Sequence, residues 1–127
     1  MSNEPVTLRV FIIDDHDDVR HALAARLNAV PGVKVVGEVS LVDGSLRLVQ
    51  ELRPDVVVVE TKRQDGRGLE VVNCLARSGT GARVVVLTTY LSEWEEWAAS
   101  RAGAVRCLLK DIGTAELVKQ IRAVMAV

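Results

Sequence analysis

Residues 53–60 read RPDVVVVE, in which four consecutive valines follow a proline and an aspartate and precede a glutamate. A short β-branched run of this kind predicts a strand that is buried on both faces, as the strands of a parallel sheet are. Three other apolar runs also end in polar side chains, and open α/β folds bind their ligands at the carboxyl ends of the strands. The expected site residues are Asp14 and Asp15 after LRVFII, Glu60 after the valines, Thr88 after RVVVL and Lys110 after VRCLL.

Segments of helical period separate the strands, so the chain reads as five strand-helix units in succession. This alternation predicts an α/β fold with a doubly wound, five-stranded parallel sheet of order 2-1-3-4-5. In the first helix the apolar spacing predicts an inner stripe of Val19, Leu23, Leu27 and Val30. Strands are expected at residues 8–13, 33–39, 56–60, 83–87 and 105–109, and helices near residues 17–29, 46–52, 69–75, 92–101 and 114–125.

Length and charge narrow the class of protein. A chain of 127 residues is long enough for one core, and its net charge of −1 provides no basic surface for direct nucleic-acid binding. No apolar stretch predicts a membrane span and no leader is visible, so a cytoplasmic location is expected. Cys74 and Cys107 are predicted to be buried free thiols, and His16 and His21 to be polar surface residues.

Five short motifs carry a resemblance to a known family. They are IDDH at 13–16, RPDVV at 53–57, DGRGLE at 65–70, VLTTY at 86–90, and AGA at 102–104 followed by LLKD at 108–111. In this order and spacing the chain resembles a CheY-like response-regulator receiver domain over its whole length, 1–127. It is most similar to receivers of the NarL/LuxR type. The resemblance implies a flavodoxin-like (βα)5 fold, in agreement with the strand order predicted above.

The resemblance also implies roles for particular positions. Asp14 and Asp15 match an acidic pair that binds Mg²⁺, Thr88 matches a hydroxyl that hydrogen-bonds a phosphoryl group, and Lys110 matches a lysine that pairs with it. Glu60 occupies the position of the aspartate that accepts the phosphoryl group. Two further departures accompany that one: Gln64 stands where the following turn usually has proline, and Cys107 stands at the position of the switch aromatic.

The extra methylene of Glu60 has a predictable chemical cost. Phosphoryl transfer depends on an in-line arrangement of oxygens beside the metal, and misplacement by about 1 Å costs on the order of a hundredfold in rate. Glu60 is therefore expected to be a poor phosphoacceptor and a partial phosphomimic, paired with Lys110 and with Thr88 drawn toward the same pocket. The crowded carboxylates require a cation, and either a weakly bound Mg²⁺ at Asp14 and Asp15 or Lys110 can serve.

These features predict an atypical, phosphorylation-independent receiver of a two-component system, which is not an enzyme. It would provide signal input and dimerisation for transcription regulation. A C-terminal DNA-binding domain is expected beyond residue 127, with a histidine kinase or another signalling protein as a further partner. Two alternatives remain open: a conventional receiver that is phosphorylated on Glu60, and a small metal-dependent phosphate-ester hydrolase.

Two surfaces are predicted for a homodimer. The first is the outer side of the last helix, where Val118 and Met125 are expected to lie away from the core stripe. The second is the fourth helix with the fifth strand. Trp94 and Trp97 lie three residues apart on that helix, and one of them is expected in the core and the other at the surface.

Overall fold

A computed structural model of the chain describes residues 7–40, 43–60 and 68–125. The described residues form five strands that alternate with five helices, as predicted. The elements are β1 (Leu8–Ile13), α1 (Asp17–Asn28), β2 (Val33–Val39), α2 (Ser45–Leu52), β3 (Val56–Glu60), α3 (Gly68–Ala76), β4 (Arg83–Thr88), α4 (Glu93–Ala102), β5 (Arg106–Leu109) and α5 (Thr114–Met125). The turn that contains Gln64, predicted at residues 64–68, lies outside the described residues apart from Gly68, which begins α3.

The sheet is parallel and its strand order is β2-β1-β3-β4-β5, which confirms the predicted fold class. All five residues of β3 are buried, as expected for a central strand covered on both faces. One core lies on the side of Val10, Val56 and Val58, and the other on the side of Phe11 and Val57. Because alternate residues of a strand point to opposite faces, both cores draw on the same strands.

Helix α1 is rotated relative to the prediction. Val19 is 43% exposed, and Arg20 is buried in its place with Leu23, Ala24 and Leu27. These four residues have the i, i+3, i+4, i+7 spacing of an inner helix face. The prediction for Val19 was therefore wrong, because the Arg20 side chain, which bonds the Asp14 carbonyl, Asp17 and Glu38, takes that position.

Helix α5 buries a wider stripe than its pattern suggested. Val118 is only 4% exposed and belongs to the same core cluster as Leu117 and Ile121, while Met125 packs against that cluster. The prediction that Val118 and Met125 form an outer contact surface was wrong. The helix contacts α1 as well as the sheet, and a helix that packs against two neighbours needs a broader apolar face.

Helix α4 exposes both tryptophans, so the prediction that one lies in the core was wrong. Its fully buried residues are Ala98 and Ala99. At the end of α4, Gly103 has a φ of 114°, and a Cβ at this position would collide with the Cβ of Ala76 on α3. The end of α4 therefore lies close to α3.

Both cysteines are free, as predicted, but Cys74 is exposed and only Cys107 is partly buried. The burial predicted for Cys74 was wrong because its side of α3 faces an open groove toward Arg101. Within residues 7–40, 43–60 and 68–125, no helix is both long enough and apolar enough to span a membrane.

Candidate functional site

Three charged side chains meet at the carboxyl edge of the sheet. The Lys110 Nζ atom lies 2.8 Å from Glu60 Oε2 and 2.9 Å from Asp14 Oδ2. Glu60 is 2% exposed and Asp14 is 3% exposed, so one ammonium group bridges two buried carboxylates. The ion pair expected between Glu60 and Lys110 is present.

The sheet fixes where these side chains start. Glu60 is the last residue of β3 and lies in register with Leu87 of β4. The backbone amide of Lys110 donates a hydrogen bond to the Thr88 carbonyl at 2.7 Å, and the amide of Asp14 donates to the Val39 carbonyl at 3.1 Å. The two residues that follow β1 and β5 are therefore held by extensions of the parallel ladders rather than by flexible loops.

Asp14 is surrounded by donors. Its Oδ1 atom accepts a hydrogen bond from the His16 amide at 2.8 Å and lies 3.0 Å from His16 Nδ1. Burial by itself raises the pKa of Asp14, but the His16 amide, Lys110 and the His16 ring together outweigh it. The pKa of Asp14 therefore lies below its usual value. Asp14 is an anion throughout the physiological pH range.

The pKa of Lys110 is also set by two opposing effects, each opposite in direction to its effect on Asp14. Burial lowers the pKa of its ammonium group, whereas hydrogen bonds and charge interactions with Glu60 and Asp14 raise it. The carboxylates prevail, and the pKa lies above its ordinary value of 10.5. The pocket thus places one ammonium group between two carboxylate side chains.

Asp15 and His16 complete the acidic end of the pocket. The His16 Nδ1 atom lies 3.1 Å from Asp15 Oδ1 and 3.4 Å from Lys110 Nζ. Asp14, Asp15 and His16 each offer a ligand atom within 4.8 Å of the other two, which is close enough for one metal ion. Two carboxylates suit Mg²⁺, which prefers oxygen ligands and is commonly held by one or two of them. The site therefore fits such an ion in kind, although Lys110 already occupies Asp14.

His16 was expected to be a surface residue, and its side chain is indeed 43% exposed, but its position in the pocket was missed. The signal available in the sequence was its place two residues after Asp14, where a backbone amide can return to the carboxylate.

Arg20 was also missed. Its guanidinium donates to the Asp14 carbonyl at 2.8 Å, to Asp17 Oδ1 at 2.7 Å and to Glu38 Oε1 at 3.1 Å. These bonds connect the turn after β1 with α1 and β2. Its spacing of i−3 from Leu23 was the available signal, since a charged residue at that position of an inner stripe requires buried partners.

The remaining predicted residues stand apart from this cluster. Thr88 is fully buried, and its hydroxyl donates to the Tyr90 carbonyl at 3.1 Å and accepts from the Tyr90 amide at 3.4 Å, so it is engaged locally. Cys107 lies on β5 beside α4, where burial and the charges of Glu95 and Glu96 raise the pKa of its thiol to about 11. The structure brings Asp14, Glu60 and Lys110 together, whereas the hydrogen bonds seen for the Thr88 hydroxyl go to Tyr90.

Comparison with known proteins gives the family. The profile described as "Response regulator receiver domain" matches residues 10–122. The chain is 38% identical over 118 residues to the transcriptional regulatory protein LiaR of Bacillus subtilis, covering 91% of this chain and 55% of LiaR. It is 36% identical over 119 residues to the DNA-binding transcriptional activator DevR/DosR of Mycobacterium tuberculosis, covering 94% of this chain and 55% of that protein. The chain thus spans about half the length of these relatives.

Two solved structures of response regulators are similar to this chain. A two-component response regulator of the LuxR family from Aurantimonas is 30% identical, with a TM-score of 0.86, and covers 94% of this chain and 86% of that one. The receiver domain of the NarL regulator from Mycobacterium tuberculosis is 26% identical, with a TM-score of 0.87 and coverage of 96% and 98%. Since the family profile matches residues 10–122, nearly the whole chain, the chain belongs to the response regulator receiver domains.

Proposed function

We propose that this receiver domain signals without phosphorylation, with the Glu60 carboxylate acting as a permanent, partial substitute for a phosphoryl group. The observation that carries the proposal is the contact between Glu60 Oε2 and Lys110 Nζ at 2.8 Å, made by a carboxylate that is 2% exposed. The lysine that would meet a phosphoryl group already has an anionic partner supplied by the chain.

The geometry of the acceptor supports this proposal. Glutamate places its carboxylate about 1.5 Å farther from the backbone than aspartate, and in-line phosphoryl transfer tolerates little misplacement. Glu60 also loses its charge partner if Lys110 turns to a phosphoryl group. Transfer to Glu60 would therefore have to overcome both the poor position of the oxygen and the loss of a buried ion pair.

The substitution is expected to be partial. A phosphoryl group brings close to two negative charges and three acceptor oxygens, whereas Glu60 brings one charge and two oxygens. Moving a two-state element from 1:99 to 99:1 takes about 5.5 kcal/mol. One hydrogen-bonded charge pair contributes about 1.5–3 kcal/mol. The domain should thus populate a mixture of states, which is consistent with a Thr88 hydroxyl that bonds locally.

Asp14 and Asp15 would hold a Mg²⁺ ion, whose chemistry in such a site is to neutralise the charge of a phosphoryl group. In this chain Lys110 already pairs with both Asp14 and Glu60, so the affinity for Mg²⁺ should be weak. The role of Arg20 is to hold the backbone of Asp14, which keeps the carboxylate aimed at Lys110.

We propose that the domain provides signal input and dimerisation for a transcription regulator. Two relatives, LiaR and DevR/DosR, are described as a transcriptional regulatory protein and a DNA-binding transcriptional activator, and this chain covers about half of each. A DNA-binding domain outside residues 1–127 would then be the output, and a histidine kinase or another signalling protein the upstream partner.

The decisive experiment is intact-mass analysis after incubation with acetyl phosphate and Mg²⁺. The wild-type chain should show no phosphoryl adduct, and Glu60→Asp should gain one because it restores the shorter acceptor. Glu60→Gln, which keeps the length of the side chain, is the matched control and should stay unmodified. A wild-type adduct that maps to Glu60 would overturn the proposal and favour a conventional receiver.

A second measurement tests the substitution itself. If the Glu60 charge biases the domain toward its active state, Glu60→Gln should weaken dimerisation in sedimentation equilibrium by roughly 10-fold, the equivalent of about 1.4 kcal/mol. An unchanged dimerisation constant would mean that Glu60 is only the remnant of a lost site.

A further inference from the structure

A cavity opens at the carboxyl end of the sheet, next to the ion-paired pocket. Its volume is about 500 Å³, and the described residues that line it are His16, Val19, Thr89, Lys110 and Asp111. They belong to the start of α1 and to the segments that follow β4 and β5. Cavities of roughly 300–1,000 Å³ hold small molecules in proteins. The ion pairs of the pocket give no role to the exposed lining residues Val19, Thr89 and Asp111.

The exposed wall of the cavity includes apolar surface. Val19 is 43% exposed, since Arg20 takes the inner position on α1, and Thr89 is exposed as well. A single exposed valine is common on protein surfaces, and what distinguishes Val19 is its place in the wall of a cavity. Binding sites for small molecules combine such apolar walls with a few polar groups that fix the orientation of the ligand. The wall therefore suits a ligand with an apolar body.

The charged groups around the cavity are mostly acidic. Four carboxylates line it or contact a side chain that lines it, namely those of Asp14, Asp15, Glu60 and Asp111. Lys110 supplies one ammonium group in return, so these described residues leave the region negative even when His16 carries a proton. A cleft lined by charge of one sign concentrates ligands of the opposite sign. The cavity therefore favours a ligand that carries positive charge.

We infer that the cavity binds a small organic cation, in which a protonated amine is joined to an apolar body. The ammonium group pairs with the Asp111 carboxylate, and the apolar body covers Val19 and Thr89. Lys110 belongs both to the cavity and to the ion-paired pocket, so an occupied cavity can change the pairing of Lys110. The inference deepens the proposed function, on which it rests, because it names the chemical class of a signal that a receiver without phosphorylation can take in.

An anion or a bare metal ion fits this cavity less well. An anion would meet a negative region, and the ammonium group of Lys110, its main attraction, already contacts Glu60 at 2.8 Å and Asp14 at 2.9 Å. A metal ion such as Mg²⁺ takes oxygen ligands and gains nothing from the apolar surface of Val19. An organic cation uses both the charge of the cavity and its apolar wall.

A simple amine should bind weakly. Asp111 and Val19 are both exposed, and an ion pair at an exposed site contributes little and is screened by salt. A dissociation constant on the order of 1 mM is therefore expected for a model compound that makes only these two contacts. The affinity should fall as salt is added, because part of the attraction is electrostatic.

Titration with phenylbutylamine, followed by the amide chemical shifts of the 127-residue chain, tests the inference. This amine joins a charged group to an apolar body, and it should shift the amide signals of the residues that line the cavity. Phenylbutyrate has nearly the same body with the opposite charge, and butylamine has the charge without the ring. Each should bind about 10-fold more weakly or worse, because each lacks one of the two contacts.

Two substitutions test the contacts one at a time. Asp111→Asn removes the charge partner and Val19→Ser removes apolar wall, and each should weaken the binding of phenylbutylamine roughly 3-fold to 10-fold. The matched controls lie on α2, outside the cavity. Glu51→Gln changes an exposed acid and Leu48→Ser an exposed apolar residue, and both should leave binding unchanged. Circular dichroism should show the same fold for all four variants.

Equal binding of phenylbutyrate and phenylbutylamine would overturn the inference. So would binding that Asp111→Asn and Val19→Ser leave unchanged, or amide signals that do not move up to the solubility limit of the amine. The intact-mass assay on Glu60 keeps the two failures distinguishable. A chain that stays unphosphorylated and does not bind the amine would overturn this inference alone, whereas a phosphoryl adduct on Glu60 would overturn the proposed function.

Discussion

The pocket at the end of the sheet differs in burial from the tryptophan face of α4, the side of the helix that carries Trp94 and Trp97. In the pocket, Glu60 and Asp14 are almost completely buried and share the Lys110 ammonium at 2.8 Å and 2.9 Å. On α4, Trp94 and Trp97 are apolar yet about 60% exposed. The chain thus buries charge where it can supply the counter-charge and exposes aromatic surface where it supplies no cover.

The difference shows which interactions serve folding and which serve association. A buried charge without a partner costs several kcal/mol, so the pocket residues must be satisfied within one chain for the domain to fold. An exposed indole costs the monomer little, and its apolar surface is released from water only by a partner. Substitutions in the pocket should therefore change the stability of the monomer, and substitutions on the tryptophan face should change association.

Removal of Lys110 should have the largest effect. Lys110→Met leaves Asp14 and Glu60 as two buried anions without their shared cation, and we expect a loss of about 3 kcal/mol in the free energy of unfolding. Urea denaturation measures the loss, with Lys119→Met on the exposed side of α5 as the control, expected to stay within about 0.5 kcal/mol.

Addition of Mg²⁺ tests the role of Lys110 in a second way. If Lys110 is the cation of the pocket, added Mg²⁺ should raise the melting temperature of Lys110→Met more than that of the wild type, because an ion that binds only the folded state stabilises it. An equal response of the two proteins would show that Lys110 and the metal do not compete for the carboxylates.

Substitution of Arg20 should cause the second-largest loss in the free energy of unfolding. Arg20→Met removes the donors to the Asp14 carbonyl, to Asp17 and to Glu38, and leaves Glu38 and a buried carbonyl less well satisfied. Hydrogen bonds to charged groups contribute about 1.5–3 kcal/mol, so we expect a loss of about 2 kcal/mol. Arg47→Met, which breaks only an exposed i, i+4 pair with Glu51, is the control, and its cost should be at most about 0.5 kcal/mol. If Arg20→Met loses no more stability than this control, the hydrogen bonds of Arg20 do not support the pocket.

The fold was predictable because its signals are strong and agree with one another. Continuous valine runs such as residues 56–59 predict central parallel strands, and the alternation with helices then restricts the strand order. The pocket followed from the same logic, since the ends of β1, β3 and β5 must meet at one edge. The pairing of Glu60 with Lys110 needed only that placement and opposite charges.

The wrong predictions concern which helix residues are buried. Burial depends on side-chain packing between elements, which the apolar periodicity of one helix does not report. Val19 and Arg20 are adjacent, and only the positions of Glu38 and the Asp14 carbonyl decide which of them turns inward. Val118 is buried because α1 lies against α5. Both tryptophans of α4 are outside because Ala98 and Ala99 occupy the buried face of that helix.

The Cys107 thiol, which lies between the two regions, should give a smaller and pH-dependent effect. Burial and the charges of Glu95 and Glu96 raise its pKa from 9.0 to about 11. A raised pKa in the folded state means a stabilisation that is fully present below pH 9 and is lost as the pH rises toward 11. After allowance for partial exposure we expect this loss to be about 1 kcal/mol.

The effect of Cys107 is measured by comparing the pH dependence of stability in the wild type and in two variants. Wild type should lose more stability than Cys107→Val between pH 9 and pH 11, while Cys74→Val, at an exposed thiol, should follow the wild type. The other ionisable groups titrate in all three proteins and cancel. Parallel curves for wild type and Cys107→Val would mean that α4 does not shield the thiol. The same contrast predicts that a maleimide modifies Cys74 well before Cys107 in the native state.

The smallest effect on folding should come from Trp94. Its ring is 61% exposed in the monomer, so Trp94→Ala removes little buried surface, and we expect a change of about 0.5 kcal/mol or less in the free energy of unfolding. The measurement is made at low micromolar concentration, so that self-association does not contribute. Leu75→Ala on α3 is the control for a buried residue and should cost about 2–5 kcal/mol. The same Trp94→Ala variant should weaken the self-association proposed for the domain in sedimentation equilibrium, since the apolar surface that it deletes is exposed in the monomer. A large loss of monomer stability would contradict the contrast between the pocket and α4, because it would mean that the Trp94 indole serves folding and not association.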